Sequence, residues 1–189
     1  MVKLKTCWNR IQKSKMPDWK THKKVAGIDG IRGEVMDIIN NIIDCYHKLA
    51  REGRLRGISS EEAEWETADI VLGALASIEK EDERIEAIRG AIHHYTLDYI
   101  QKIGMLFLLD IAKKEGLKGA RNWLRNMPDE VILSRIAKEG VVSGASRIKD
   151  ILELVLEEWY RINEMRNPRR IGVEAIAFAE RLKTLPRFW

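Results

Sequence analysis

The chain has 189 residues, of which 45% are hydrophobic and 33% are charged, and it contains 4 prolines. This length and apolar content support a buried core and exclude a disordered chain, while the high charge and scarce proline favour long helices with solvated faces. The net charge of +4 is uneven, because residues 1–33 carry +7 and residues 166–189 carry +4, which leaves −7 for the middle. Two basic ends around an acidic body favour contact with a polyanion.

The cysteines and the apolar runs bear on the compartment. Cys7 and Cys45 form no CxxC motif and no disulfide framework, so we expect packing residues in a reducing compartment. The longest apolar run, residues 103–109, is far too short to span a bilayer, and the N-terminus lacks the apolar core of a signal peptide. These features predict a cytoplasmic protein, and the high Glu, Lys, Arg and Ile content suits a thermophile.

Apolar residues recur with helical spacing in nearly every segment, and no segment alternates as a strand does. The first strong stripe predicts a helix over residues 34–52 that ends at Gly53. Ser59, followed three residues later by Glu62, predicts a capping box that opens a helix running to about Glu79. A third helix is predicted over about residues 83–103, with a continuation to Lys114 as the alternative.

The distal part of the chain reads as shorter helices separated by Gly116, Pro128 and the turn at residues 140–144, where Ser143 is the expected N-cap. Residues 148–162 carry the most regular amphipathic stripe, and a last helix lies between Pro168 and Pro186. The sequence therefore predicts an all-α bundle of seven or eight helices. We expect a basic segment (1–17), a helical domain with a His/Asp site (18–115) and a C-terminal helical part (116–189), either a subdomain or a continuation of the first.

Three of the four histidines lie three or four residues from an aspartate, a spacing that places both side chains on one side of a helix. The pairs are Asp18 and His22, Asp44 and His47, and His94 and Asp98. Imidazole and carboxylate together suit a borderline divalent cation. The alternative is a solvated helix face, because the apolar stripe of the second helix predicts that Asp44 points away from the core and that His47 lies on its flank.

The segments MPDWKTH (residues 16–22) and HHYTLDYI (residues 93–100) resemble the opening and closing motifs of small archaeal helical proteins related to the HD-type metal-dependent phosphohydrolases. The resemblance covers about residues 16–101. It implies that His22, His93 or His94, and Asp98 bind a divalent metal (Zn²⁺, Mn²⁺ or Mg²⁺), with His47 as a further ligand. Those enzymes carry an adjacent His-Asp dyad, and this chain departs from them in having no such dipeptide.

Two carboxylate pairs form a second acidic pattern. Glu34 and Asp37, and then Glu66 and Asp69, are each three apart on successive predicted helices, and such pairs chelate Mg²⁺ when the helices are antiparallel. The segment ETADIVLGAL (residues 66–75) resembles the second motif of MazG-like all-α nucleotide pyrophosphohydrolases, which implies catalytic roles for Glu66 and Asp69. Asp69 is also the one polar residue in ADIVLGALA, so we expect a buried carboxylate with a metal, an arginine or a protonated histidine as partner.

Two further resemblances imply that the protein contacts nucleic acid. Arg89 and His94 have the R-x-x-x-x-H spacing that resembles HEPN ribonucleases, although Tyr95 follows His94 one residue early. Residues 100–114 and 172–183 resemble the helical small subunits of type III CRISPR effector complexes, which are non-enzymatic and lie along nucleic acid. In this alternative, basic residues from both ends form one nucleic-acid surface: Lys13, Lys15, Lys20, Lys23, Lys24, Arg169, Arg170 and Arg187.

The first hypothesis is a divalent-metal-dependent phosphohydrolase, or a degenerate relative, acting on a nucleotide or another phosphoester. The alternative is a non-enzymatic helical nucleic-acid-binding subunit of a larger ribonucleoprotein, with protein partners. Two geometric predictions follow from these patterns. His22 should converge with the HHYTLD segment, and Asp69 should be buried against a cationic partner.

Overall fold

The structure is a computed structural model that describes residues 19–59, 62–140 and 144–187. Those residues form nine helices and no strand, and eight of the helices exceed two turns, so the predicted all-α bundle of seven or eight helices is confirmed. The helices are α1 (Trp19–Ile28), α2 (Gly33–Arg51), α3 (Ala63–Glu66), α4 (Ala68–Ala76), α5 (Glu81–Lys102), α6 (Leu106–Asn126), α7 (Asp129–Lys138), α8 (Ala145–Asn163) and α9 (Pro168–Thr184).

Two helices differ from their predicted extents. The helix expected to run to Glu79 is interrupted, because α3 ends at Glu66 and α4 begins at Ala68. The predicted cap is present in part: Ser59 Oγ accepts a hydrogen bond from the Glu62 N–H at 3.3 Å. The second difference is in α6, which runs through Gly116, although the Gly116 φ of +76° does break the helical path at the residue where the sequence predicted a break. Ser143 lies outside the described residues.

Helix α5 is the centre of the bundle, because it packs against α1, α2, α4, α6, α8 and α9. Every residue from Ala91 to Leu97 is buried, so this helix has no solvated face over two turns. Polar side chains on α5 therefore need partners inside the protein. Most of the core is one cluster that runs from Val25 to Leu182, and residues on both sides of the expected boundary at Gly116 contribute to it. A second, small cluster consists of Ala26, Ile31 and Met36.

Cys45 on α2 packs against this core and is disulfide-bonded. The predicted packing role of Cys45 is confirmed, and the expectation of no disulfide is wrong. Within the described part of the chain, no helix has both the length and the apolar character of a membrane span.

Candidate metal centre

Three side chains from two helices converge where α1 crosses α5. His22 Nε2 lies 2.7 Å from Asp98 Oδ1, and His94 Nε2 lies 3.4 Å from Asp98 Oδ2. The two imidazole rings stack with their centroids 4.4 Å apart. One nitrogen or oxygen from each of the three residues lies within 4.8 Å of the other two. The predicted convergence of His22 with the HHYTLD segment is confirmed.

The local sequence explains this arrangement. His94 and Asp98 are four residues apart on α5, so the two side chains rise from successive turns on one side of the helix. His22 belongs to α1, whose other buried residues are Val25 and Ala26, three and four positions further on. That spacing turns one side of α1 toward the bundle and carries the imidazole inward with it.

The tautomer of His94 is set by Asn40 on α2. His94 Nδ1 lies 2.8 Å from Asn40 Oδ1, which accepts hydrogen bonds but cannot donate one, so Nδ1 carries a proton. The other nitrogen, Nε2, is buried, has no hydrogen-bond partner among the described residues and faces the carboxylates of Asp98 and Glu64. A bare lone pair facing two carboxylates is unfavourable, so this position requires a cation, which is a proton or a metal ion.

The pKa shifts of His94 and Asp98 favour a cation at this position as well. Burial by itself lowers the pKa of His94, but the charge of Asp98, followed by that of Glu64, outweighs burial, and the pKa is raised above its usual value. Burial raises the pKa of Asp98, but the positive charge available on His94 and His22 lowers it well below the usual range. The carboxylate is thus held ionised between two imidazoles, as a metal ligand must be.

A second layer of polar side chains surrounds the three. Glu64 on α3, 1% exposed, lies 3.8 Å from His94 Nε2, 3.6 Å from His47 Nε2 and 2.7 Å from Lys102 Nζ. On the other side, Trp19 Nε1 donates a hydrogen bond of 2.9 Å to Asp44, whose pKa burial raises. These contacts hold in place the polar side chains that surround His22, His94 and Asp98.

The three converging groups fit a divalent cation. Ligand atoms that each lie about 2.0–2.2 Å from one ion are themselves about 3–3.5 Å apart. Asp98 lies at 2.7 Å from His22 and 3.4 Å from His94, and all three ligand atoms lie within 4.8 Å of one another. Two imidazoles and one carboxylate suit Zn²⁺ or Mn²⁺ better than Mg²⁺, which prefers oxygen ligands throughout. Three protein ligands also leave positions for water and substrate, as catalytic sites do.

His93 does not join this cluster. It lies on another side of α5, where its Nε2 is 3.2 Å from Asp29 Oδ2 and its ring meets Trp159 edge-on. Burial lowers its pKa, with the interaction with Asp29 opposing. Of the two histidines offered by the sequence pattern, the structure brings His94 to the site. His47 lies nearby, but its contact is with Glu64.

The four carboxylates of the predicted magnesium site do not converge, since His22, His94 and Asp98 are the one ligand cluster that the described residues form. Asp37 pairs with Lys23 at 2.7 Å, Glu66 with Arg187 at 2.8 Å and Asp69 with Lys183 at 3.0 Å. Asp69 thus has the predicted cationic partner. The predicted full burial is wrong, because its side chain is 35% exposed where α4 meets α9.

The residues assigned to nucleic-acid contact are placed as follows. Lys20 and Lys24 are exposed on α1, and Arg169 and Arg170 are exposed at the start of α9. Lys23 and Arg187 are engaged in ion pairs with Asp37, and with Glu62 and Glu66. Lys13 and Lys15 lie outside the described residues, as does Asp18, so the joint basic surface stays a prediction. Arg89 lies against Asn163 on α8, not beside His94.

Sequence reasoning missed the residues that support the three ligands, namely Asn40, Glu64, Lys102 and Trp19. A spacing signal existed for two of them. Asn40 lies four residues before Asp44 and seven before His47, and Lys102 lies four after Asp98, so each extends a stripe already identified. No such spacing connects Glu64 to the other helices.

Comparison with protein-family models, with curated proteins and with solved structures finds no match to this chain.

Proposed function

We propose that the protein is a divalent-metal-dependent hydrolase of phosphoesters, with His22, His94 and Asp98 as the metal ligands. The observation that carries the proposal is the buried Nε2 of His94, which has no hydrogen-bond partner among the described residues and lies between carboxylates. Its proton-bearing nitrogen is already committed to Asn40. A histidine that donates one ring N–H to an oxygen acceptor and keeps its other nitrogen free for the metal has the arrangement that orients metal-binding histidines.

A phosphoester is the substrate class that this charge distribution favours. Two neutral imidazoles and one carboxylate leave a divalent site with net positive charge, which attracts an anionic substrate. A bound divalent cation supplies Lewis-acid chemistry, polarising a phosphoryl oxygen and lowering the pKa of water. The resemblance of the His22 and His94 segments to HD-type phosphohydrolases points to the same substrate class.

The remaining side chains have defined roles in this proposal. Asn40 orients His94, and Asp98 holds His22 and His94 toward a common point. Glu64 Oε1 is buried without a hydrogen-bond partner among the described residues and is 3.8 Å from His94 Nε2, so it is the base positioned to take a proton from water in the site. Lys102 balances the charge of Glu64 at 2.7 Å.

The test compares Asp98→Asn with Asp110→Asn, a matched change at an α6 carboxylate that is 68% exposed. Each protein is stripped of metal, reloaded with Zn²⁺, Mn²⁺ or Mg²⁺, and assayed for bound metal and for hydrolysis of bis(p-nitrophenyl) phosphate. Asp98→Asn should lower both by at least about a hundredfold, since even the outer partners of metal ligands are worth about 10- to 100-fold. Asp110→Asn should behave as wild type. Wild-type protein that takes up none of the three metals contradicts the proposal.

A further inference from the structure

A polar pocket of about 470 Å³ lies apart from the metal centre, between the end of α1, the first half of α5, α6 and the end of α8. Its volume is within the range of small-molecule sites, about 300–1,000 Å³. Arg89, Lys118 and Arg166 line the pocket together with the amides of Asn122 and Asn163. It shares no residue with the His22, His94 and Asp98 cluster.

Asn163, only 7% exposed, holds two of these cations in place. Arg89 Nε donates a hydrogen bond of 3.0 Å to the Asn163 side-chain oxygen, and Arg166 Nη1 donates one of 2.9 Å to the Asn163 backbone carbonyl. The two guanidinium groups are thus tied to the same residue. Burial, and after it the charge of Arg166, lowers the pKa of Arg89, although the charges of Glu164, Glu86 and Asp29 oppose this shift.

Nothing in the described part of the chain neutralises these cations by direct contact. Arg89, Arg166 and Lys118 each lack a carboxylate oxygen within 4.0 Å, whereas Arg121 beside them on α6 pairs with Glu157 at 2.8 Å. Holding like charges together in a pocket is costly unless an anion joins them.

The three carboxylates at the pocket do not fill that role. Asp29 is turned to α6, where it accepts hydrogen bonds from the backbone N–H groups of Leu117 at 2.8 Å and Lys118 at 3.4 Å. Glu115 and Glu164 are exposed, as Lys118 and Arg166 are, and neither places a carboxylate oxygen within 4.0 Å of the three cations.

We propose that this pocket binds a small phosphorylated anion, with Arg89 and Arg166 as its principal ligands and Lys118 at its edge. A guanidinium group presents parallel N–H donors that match two phosphate oxygens, and the pair placed by Asn163 offers two such groups to one ligand. The phosphate pairs directly with cations that have no carboxylate oxygen within 4.0 Å in the described part of the chain.

The test is isothermal titration of the full chain with phosphate and with pyrophosphate, at low salt and in the presence of a chelator that removes metal. Pyrophosphate should bind more tightly than phosphate, and added salt should weaken both. Arg89→Gln should weaken pyrophosphate binding about tenfold to a hundredfold, the effect of losing a charge-assisted hydrogen bond. The matched control is Arg125→Gln, at an α6 side chain that is 60% exposed and outside the pocket.

Asn163→Asp gives an independent test that keeps every cation. The new carboxylate would pair with Arg89 inside the fold, so anion binding should fall as much as in Arg89→Gln although the protein remains folded. Asp98→Asn should leave anion binding unchanged, which separates this pocket from the metal centre. Wild-type protein that fails to bind pyrophosphate at millimolar concentration overturns the proposal, as does binding that survives both Arg89→Gln and Asn163→Asp.

Discussion

His93 and His94 are neighbours on the same buried helix, but their side chains lie in different environments. His93 turns toward Asp29 at the end of α1, and His94 turns toward Asn40 on α2 and Asp98 on α5. Burial dominates at His93 and lowers its pKa, whereas carboxylate charges overcome burial at His94 and raise its pKa. Because successive residues on a helix point about 100° apart, the two imidazoles belong to different environments.

The difference lies in what else the carboxylate partner does. Asp29, with a side chain only 3% exposed, accepts hydrogen bonds from His93 and from the two N–H groups that follow Gly116 in α6. It joins α1, α5 and α6 through these three donors, while the other ring nitrogen of His93, Nδ1, is buried without a hydrogen-bond partner among the described residues. Asp98 faces two imidazoles, and His94 Nε2 still lacks a hydrogen-bond partner within the described ranges. The difference is that the unpartnered nitrogen of His94 belongs to a cluster of three potential metal ligands, whereas His93 belongs to no such cluster among the described residues.

The largest effect expected from this comparison is on metal affinity. His94→Gln should weaken Zn²⁺ binding by about a thousandfold, because the binding free energy of Zn²⁺, about 10–16 kcal/mol in structural sites, is shared among a few ligands. His93→Gln should change it by less than about threefold. Competition with a chromophoric chelator measures both. Equal losses in the two variants would show that the histidines share one site.

The second prediction concerns stability on the His93 side. Asp29→Ala should lower the free energy of unfolding by about 2–3 kcal/mol, because it leaves three donors without their acceptor. Asp110→Ala, at an exposed carboxylate, should change it by less than about 0.5 kcal/mol. Urea unfolding of metal-free protein gives both values. An Asp29→Ala protein as stable as wild type would contradict the structural role assigned to this residue.

The third prediction concerns the hydrogen bond between Asn40 and His94, which Asn40→Leu removes. The substitution removes the acceptor that fixes the His94 tautomer and keeps the side chain's volume, so metal affinity should fall about 10- to 100-fold, as for other partners of ligating histidines. The metal-free protein should also lose about 1–3 kcal/mol of unfolding free energy, because the buried His94 Nδ1–H is left without an acceptor. The same chelator competition measures the affinity, and unaltered affinity would leave the tautomer without a role.

Sequence reasoning predicted the helices and part of the site because both depend on short spacings. Residues 148–162 show their stripe locally, and His94 and Asp98 share a helix, so no tertiary information is needed to pair them. Adding His22 required the resemblance to known motifs. Choosing between His93 and His94 required the packing around α5, which is surrounded by other helices and gives no apolar stripe to orient it.

Asp44 shows why helix periodicity misled. The apolar stripe of α2 placed Asp44 away from the core, toward solvent. The prediction of a solvated face is wrong, since Asp44 is half-buried and accepts the hydrogen bond from Trp19 on α1. Helix α2 packs against α1 as well as α5, so two of its sides are covered. An apolar stripe identifies the side of a helix that faces the hydrophobic core. It does not identify a second buried side whose contacts with a neighbouring helix are polar.

The smallest expected effect is a difference in pH dependence between the two histidines in metal-free protein. The folded-state pKa of His94 is raised above the unfolded value of about 6.5, so its contribution to stability is complete below that pH and is lost as pH rises through the folded pKa. The folded-state pKa of His93 is lowered, so stability is lost as pH falls below about 6.5 toward the folded value. The two contributions therefore change with opposite sign on acidification.

Urea unfolding of wild type, His93→Gln and His94→Gln between about pH 7.5 and pH 5 measures these signs, in a range above the lowered pKa of Asp98. As pH falls, the stability advantage of wild type should grow over His94→Gln and shrink relative to His93→Gln. Saturating metal should reverse the first trend, because protons then compete with the metal for His94 Nε2. The second trend should persist, because His93 lies outside the metal cluster. Slopes of the same sign in metal-free protein would mean that the two imidazoles do not have the distinct environments described for them.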